Sequence, residues 1–124
     1  MTLKTLMLVD DSEADHLLAK IAITQYDKKI HIIQAYDGAE ALKMLSNTNN
    51  QPDLILLDIN MPGMGGHEFL EHYNKLGHDG KVVVMLTSSE QPVDVERCKP
   101  YGFVKQFMTK PLSTEKLAEL KALL

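Results

Sequence analysis

Two adjacent aspartates, Asp10 and Asp11, close the apolar run "LMLV" at residues 6–9. Neighbouring carboxylates raise each other's pKa unless a cation or a set of donors offsets them, so something positive is expected at this point. Polar residues also close three further apolar runs: Asp58 after "LILL" (54–57), Thr87 after "VVVML" (82–86) and Lys110 after "FVKQFM" (103–108). Three carboxylates in one cleft suit a hard divalent cation, and octahedral magnesium takes one or two of them with waters and a phosphate oxygen. Lys110 would add a second positive charge for a phosphoryl oxygen, and Thr87 a hydroxyl donor. Asp58 is then the best-placed nucleophile for an aspartyl phosphate.

For these residues to meet, the runs that carry them must be parallel strands with their carboxyl ends on one edge, where ligands bind beside the topological switch point. The spacing supports this. Five short apolar runs, the four above and "IHIIQA" (30–35), alternate with helical patterns. Those at 6–9, 54–57 and 82–86 are nearly continuous, as central strands covered on both faces should be. The last run alternates Phe103, Lys105 and Phe107 with Val104, Gln106 and Met108, which places it at an edge.

The first helix shows Ala14, Leu17, Leu18 and Ile21 at the spacing of a buried stripe, with Ser12 and Asp15 as its cap signal. The second starts at Asp37-Gly38 with Glu40 as capping partner and carries Ala41, Leu42 and Leu45 on one face. The third carries Phe69, Leu70, Tyr73 and Leu76. The fourth begins at Pro92 and is stopped after about two turns by Pro100 and Gly102. The fifth follows Ser113 and buries Leu117, Leu120 and Leu124. Strict alternation implies right-handed crossovers and a doubly wound α/β fold with helices on both faces of a parallel sheet.

The 124 residues fit one domain, 44% apolar and 24% charged, with a net charge of -4 that argues against nonspecific nucleic-acid binding. One cysteine, Cys98, excludes an internal disulfide and suggests a reducing compartment such as the cytoplasm, with a buried, inert thiol. No apolar run approaches membrane-spanning length, so no membrane insertion is expected.

Taken together and in order, "LVDD", "LILLDINMPGMGG", "LTSS" and "FMTKP" resemble the receiver domain of two-component response regulators over the whole chain, 1–124. The resemblance implies a flavodoxin-like fold with five strands in the order 2-1-3-4-5. It implies phosphorylation of Asp58 by a sensor histidine kinase, a phosphotransfer protein or a small phosphodonor, and a phosphoacceptor with at most slow self-dephosphorylation. Mg2+ would be held by Asp11, Asp58 and the Asn60 main-chain carbonyl, with Asp10 acting largely through water. Thr87 and Phe107 would form a switch pair, Lys110 would precede a cis proline, Pro111, and the surface of the fourth helix, fifth strand and fifth helix would meet an unidentified target protein. Asn60 and Ser89 occupy positions that tune dephosphorylation in that family. Gly65 stands where an acidic cap is usual, and no output domain is expected after Leu124.

Competing readings are weaker. "HEFLEH" (67–72) suggests a zinc motif, but His67 and His72 are five residues apart and diverge by about 140 degrees on a helix. An aspartate-nucleophile phosphohydrolase would share the magnesium, threonine and lysine chemistry, yet it needs a second aspartate two residues after the nucleophile, where Asn60 stands. Within the main reading, a phosphorelay intermediate and a terminal effector are equally consistent with these residues.

Overall fold

Strands that are apolar on both faces must be covered on both, and the alternation of side chains along each strand sorts them between two cores. A computed structural model describes residues 3–47, 51–76, 82–88 and 90–124. In it β1 (Thr5–Val9), β2 (His31–Ala35), β3 (Leu54–Leu57), β4 (Val82–Thr87) and β5 (Val104–Thr109) form one sheet in the order β2-β1-β3-β4-β5. Every neighbouring pair is parallel. Between the strands run α1 (Glu13–Tyr26), α2 (Gly38–Leu45), α3 (Gly66–Lys75) and α4 (Pro92–Cys98), and α5 (Thr114–Lys121) follows β5. This is the doubly wound, flavodoxin-like α/β fold. Ser89 and residues 48–50 of the expected "NTNNQP" loop lie outside the described residues.

Leu6, Leu8, Leu54, Leu56, Val82, Val84 and Leu86 pack on one side of the sheet with Ala19, Ala22 and Ile23 of α1 and Leu117 and Leu120 of α5. Met7, Val9, Ile55, Leu57, Val83 and Met85 point the other way, against Ala41 of α2, Phe69, Leu70 and Tyr73 of α3 and Cys98 of α4. Register then sets the edge: Val9 lies opposite Ala35 on β2 and Leu57 on β3. The residues that follow β1 and β3 therefore emerge side by side.

Three expectations need correction. The apolar stripe of α1 faces solvent, with Leu17 59%, Leu18 56% and Ile21 48% exposed, and Ala14 is exposed as well. The buried face is His16, Ala19, Ala22 and Ile23. Both faces of this helix satisfy a helical period, so periodicity alone cannot choose between them. The small alanines allow close packing, and His16 finds polar partners inside. Leu76 caps α3 and is 59% exposed rather than buried. Leu124 lies past the end of α5 and is half-buried against the first core.

The edge strand β5 carries a register irregularity between Val83 and Val84, which pair with Val104 and Gln106 and so skip Lys105. The simple alternation expected there is broken by this bulge. α4 is seven residues long with Pro92 in its first turn, and Gly65 caps α3 without a side-chain hydrogen bond.

Candidate functional site

At the carboxyl edge the backbone first fixes where each acid sits. The Asp10 N–H donates to the Ala35 carbonyl at 3.1 Å and the Asp58 N–H to the Val9 carbonyl at 2.9 Å, extending the β1 ladders by one residue. One oxygen of each buried carboxylate is then occupied locally. Asp10 Oδ1 accepts from the Ser12 N–H at 2.9 Å, and Asp58 Oδ1 from the Ile59 N–H at 2.9 Å. The second oxygen of Asp10 accepts from the Lys110 ammonium, while that of Asp58 is 3.7 Å from it. Among the described residues, Asp10, Asp11 and Asp58 each offer a carboxylate oxygen within 4.8 Å of the other two.

Asp10 and Asp58 are buried, while Asp11 is exposed. Burial, reinforced by the charges of Asp10 and Asp11, pushes the Asp58 pKa up to about 6, against the opposing pull of Lys110 and the Ile59 N–H. A site that raises the pKa of its own carboxylate is electrostatically suited to a cation. α3 closes the floor: a Cβ on Gly66 would come within 2.6 Å of the Asp58 carbonyl oxygen, so only glycine allows this approach.

Lys110 comes to the same edge by register. Its N–H donates to the Thr87 carbonyl at 2.7 Å, continuing the β4–β5 ladder. The Lys110–Pro111 peptide bond is cis. The ammonium lies 2.7 Å from Asp10 Oδ2, 2.7 Å from Asp15 Oδ2 and 3.7 Å from Asp58 Oδ2. Burial alone would lower the lysine pKa, but its hydrogen bonds to Asp10 and Asp15 outweigh that and raise it above the ordinary range. Thr87 is buried at the end of β4.

The remaining residues singled out from the sequence lie around this group. Asn60 is exposed on the loop after β3. Phe107 is half-buried, pairs with Met85 and shares the sheet face of Met85 and Thr87. It lines a groove with Val95, Cys98 and Tyr101 beside α4 rather than the acidic rim.

Two contributors escaped the sequence reading. Asp15, treated there only as part of a helix cap, is a direct partner of Lys110. His16 is buried, with Nε2 2.8 Å from the Asp10 carbonyl and Nδ1 3.1 Å from the Gln34 amide nitrogen. The carbonyl can only accept, so these partners assign the proton to Nε2 and leave Nδ1 to accept from Gln34. The one available hint was an acidic residue in the first helical turn directly after an acidic pair. His67, at the start of the rejected zinc motif, instead pairs with Asp94 at 2.9 Å, while His72 is exposed. Cys98 is buried and its thiol pKa is raised to about 11, chiefly by that burial, so it is inert at neutral pH.

Residues 6–121 match the family model of the response regulator receiver domain. The chain belongs to the response regulator receiver family. Among curated relatives, this receiver domain is 30% identical over 116 residues to the two-component response regulator ORR41 of Oryza sativa subsp. japonica, covering 94% of this chain and 90% of that protein. It is 26% identical to the chemotaxis protein CheY of Thermotoga maritima, covering 94% and 92%. It is also 32% identical to part of the sensor histidine kinase CheAY of Helicobacter pylori, spanning only 14% of that longer protein. Among solved structures, Vibrio cholerae CheY4 superposes with a TM-score of 0.81 at 27% identity, covering 99% of this chain and all of that one. A response regulator from Cytophaga hutchinsonii, 24% identical, shares the fold with a TM-score of 0.90 over 99% and 97% of the two chains.

The receiver family typically binds Mg2+, and the donor set here fits it. All three grouped side chains offer hard carboxylate oxygens with no softer nitrogen or sulfur ligand among them. No helix among the described residues is long and apolar enough to cross a membrane.

Proposed function

We propose that this receiver domain is a phosphoacceptor switch, phosphorylated on Asp58 and signalling by protein contact. The observation that carries the reading is the convergence of Asp58 with two further carboxylates and the Lys110 ammonium, from three separate parts of the chain. Asp10, Asp11 and Asp58, with the Asn60 main-chain carbonyl, would hold Mg2+. When bound, the cation neutralises the acidic cluster and offsets charge on the phosphoryl oxygens.

With its pKa at about 6, Asp58 is ionised at neutral pH and able to attack. A free carboxylate oxygen of Asp58 attacks the phosphorus of a phosphohistidine or an acyl phosphate, and the donor's leaving group departs with the electron pair of the broken bond. Lys110 stabilises a phosphoryl oxygen, and the Thr87 hydroxyl donates to another. Phosphorylation adds about two negative charges and three acceptor oxygens beside Thr87. Drawing Thr87 inward frees space on the sheet face it shares with Phe107, and Phe107 moves into it. The surface of α4, β5 and α5 changes as a result. The phosphoryl group need only favour one of two existing conformations.

The partners that fit are a sensor histidine kinase or phosphotransfer protein as donor and a protein target for the output surface, in the cytoplasm. The exposed Leu17, Leu18 and Ile21 support a protein donor, because α1 begins directly after the acidic pair and an apolar patch beside a rim is a docking feature. Excess acetyl phosphate with Mg2+ tests the reading. A switch retains one phosphoryl group per chain with slow phosphate release, whereas sustained release from phosphate monoesters would identify a phosphohydrolase instead.

A further inference from the structure

Lys110 faces three carboxylates, and they are not equivalent. Asp10 and Asp58 belong to the acidic group that would hold a cation, but Asp15 does not. Its carboxylate nonetheless lies as close to the ammonium, at 2.7 Å, as that of Asp10, and an ångström closer than that of Asp58.

Local structure explains why Asp15 is free for this contact. Ser12 caps α1 by accepting from the Asp15 N–H at 3.2 Å. In a reciprocal capping arrangement, the acidic side chain three residues on would reach back to the N–H of the cap residue. Here the Ser12 N–H is already donated to Asp10 Oδ1. The Asp15 carboxylate is thereby released from capping and turns to Lys110. Its side chain is 35% exposed against 15% for Lys110, a partly shielded pair of the charge-assisted kind.

A dication and an ammonium that share one rim compete for the same oxygens and repel each other. If Lys110 had only Asp10 and Asp58 to pair with, each would be taken from the metal or from the lysine. A carboxylate that touches the ammonium and stands outside the metal group eases this conflict, holding the ammonium between Asp15 and Asp10 and an ångström further from Asp58. We propose that Asp15 is a positioning residue that anchors Lys110 on the α1 side of the rim, sharing the ammonium with Asp10 and leaving Asp11 and Asp58 to the cation. The inference rests on the phosphoacceptor reading of this rim and assigns the resting place of its lysine within it.

The test is a double-variant cycle read by calorimetric titration with Mg2+ alone. The four proteins are the unaltered chain, Asp15→Asn, Lys110→Ala and the double variant. With Lys110 present, Asp15→Asn leaves the ammonium to Asp10 and Asp58 alone, and Mg2+ binding weakens several-fold. In the Lys110→Ala background the same substitution has a clearly smaller effect, because no ammonium is left to compete. Asp15→Ser repeats the comparison without an amide and guards against a folding defect particular to asparagine, while Asp15→Glu keeps the anchor and restores most of the affinity. Equal weakening in both backgrounds would show Asp15 acting by its charge or as a helix cap alone, and overturn the proposal. So would no weakening at all. No phosphoryl transfer enters this titration, so a failure of Asp58 to accept phosphate would remove the functional reading while leaving the cycle legible.

Discussion

The N–H of Lys110 donates to the carbonyl of Thr87 at 2.7 Å, so the ammonium donor and the hydroxyl donor of the site are fixed to each other by one backbone hydrogen bond. It is the last rung of the β4–β5 ladder, where Thr87 pairs with Thr109. On the proposed switch, a change at Thr87 is transmitted to Phe107 on this edge strand. In Thr87→Ala, Asp58 still accepts a phosphoryl group, but the coupling to Phe107 is lost. NMR spectra recorded before and after phosphorylation should show large shifts around Phe107 in the native protein and small ones in the variant. Undiminished shifts in Thr87→Ala would show that the signal travels another way.

The raised pKa of Asp58 sets a pH dependence whose sign can be worked out. An unfolded aspartate titrates near about 3.9, whereas Asp58 in the fold titrates at about 6. Between these values the native state binds more protons, so this group's contribution to stability is fully present below the lower value. It is lost as pH rises through the upper one. Ionised Asp58 is then a liability in the metal-free protein at neutral pH, and Asp58→Asn should stabilise it by about 1–3 kcal/mol in urea denaturation. The same titration makes Mg2+ binding weaken as pH falls below about 6. An Asp58→Asn variant less stable than native at pH 7 would contradict this electrostatic picture.

Gly66 ties the third helix to the acidic edge. A Cβ there would lie 2.6 Å from the Asp58 carbonyl oxygen and 2.8 Å from the Ile59 Cα, both of them backbone. Gly66→Ala must push α3 off the end of β3, at a cost of about 1–3 kcal/mol, and Mg2+ binding should weaken with it. Gly102→Ala, where an added Cβ meets nothing within 4 Å, is the control and should leave the midpoint of thermal unfolding close to native.

The architecture was legible because its signals are redundant. Continuous apolar runs such as Leu54–Leu57 can be satisfied only in a doubly covered sheet, and the polar residue ending each run follows from register alone. Asp10, Asp11, Asp58 and Lys110 could thus be placed at one rim before any geometry was known. The face of α1 was not legible, because Leu17, Leu18 and Ile21 form as good a stripe as His16, Ala19 and Ile23. Which one is buried depends on how closely the helix must approach the sheet. Nor was the partnership of Asp15 with Lys110, 95 residues apart, since the local cap signal of Ser12 already gave Asp15 a sufficient role. The bulge at Lys105 likewise follows from pairing with β4 and leaves no mark in β5 itself.

The central claim is that Asp58 carries the phosphoryl group. Intact-mass measurement of native protein and Asp58→Asn after incubation with acetyl phosphate and Mg2+ tests it most directly. The account predicts one added phosphoryl group on the native chain, lost when Mg2+ is chelated beforehand, and none on the variant. Equal labelling of both proteins would mean that another residue is the acceptor.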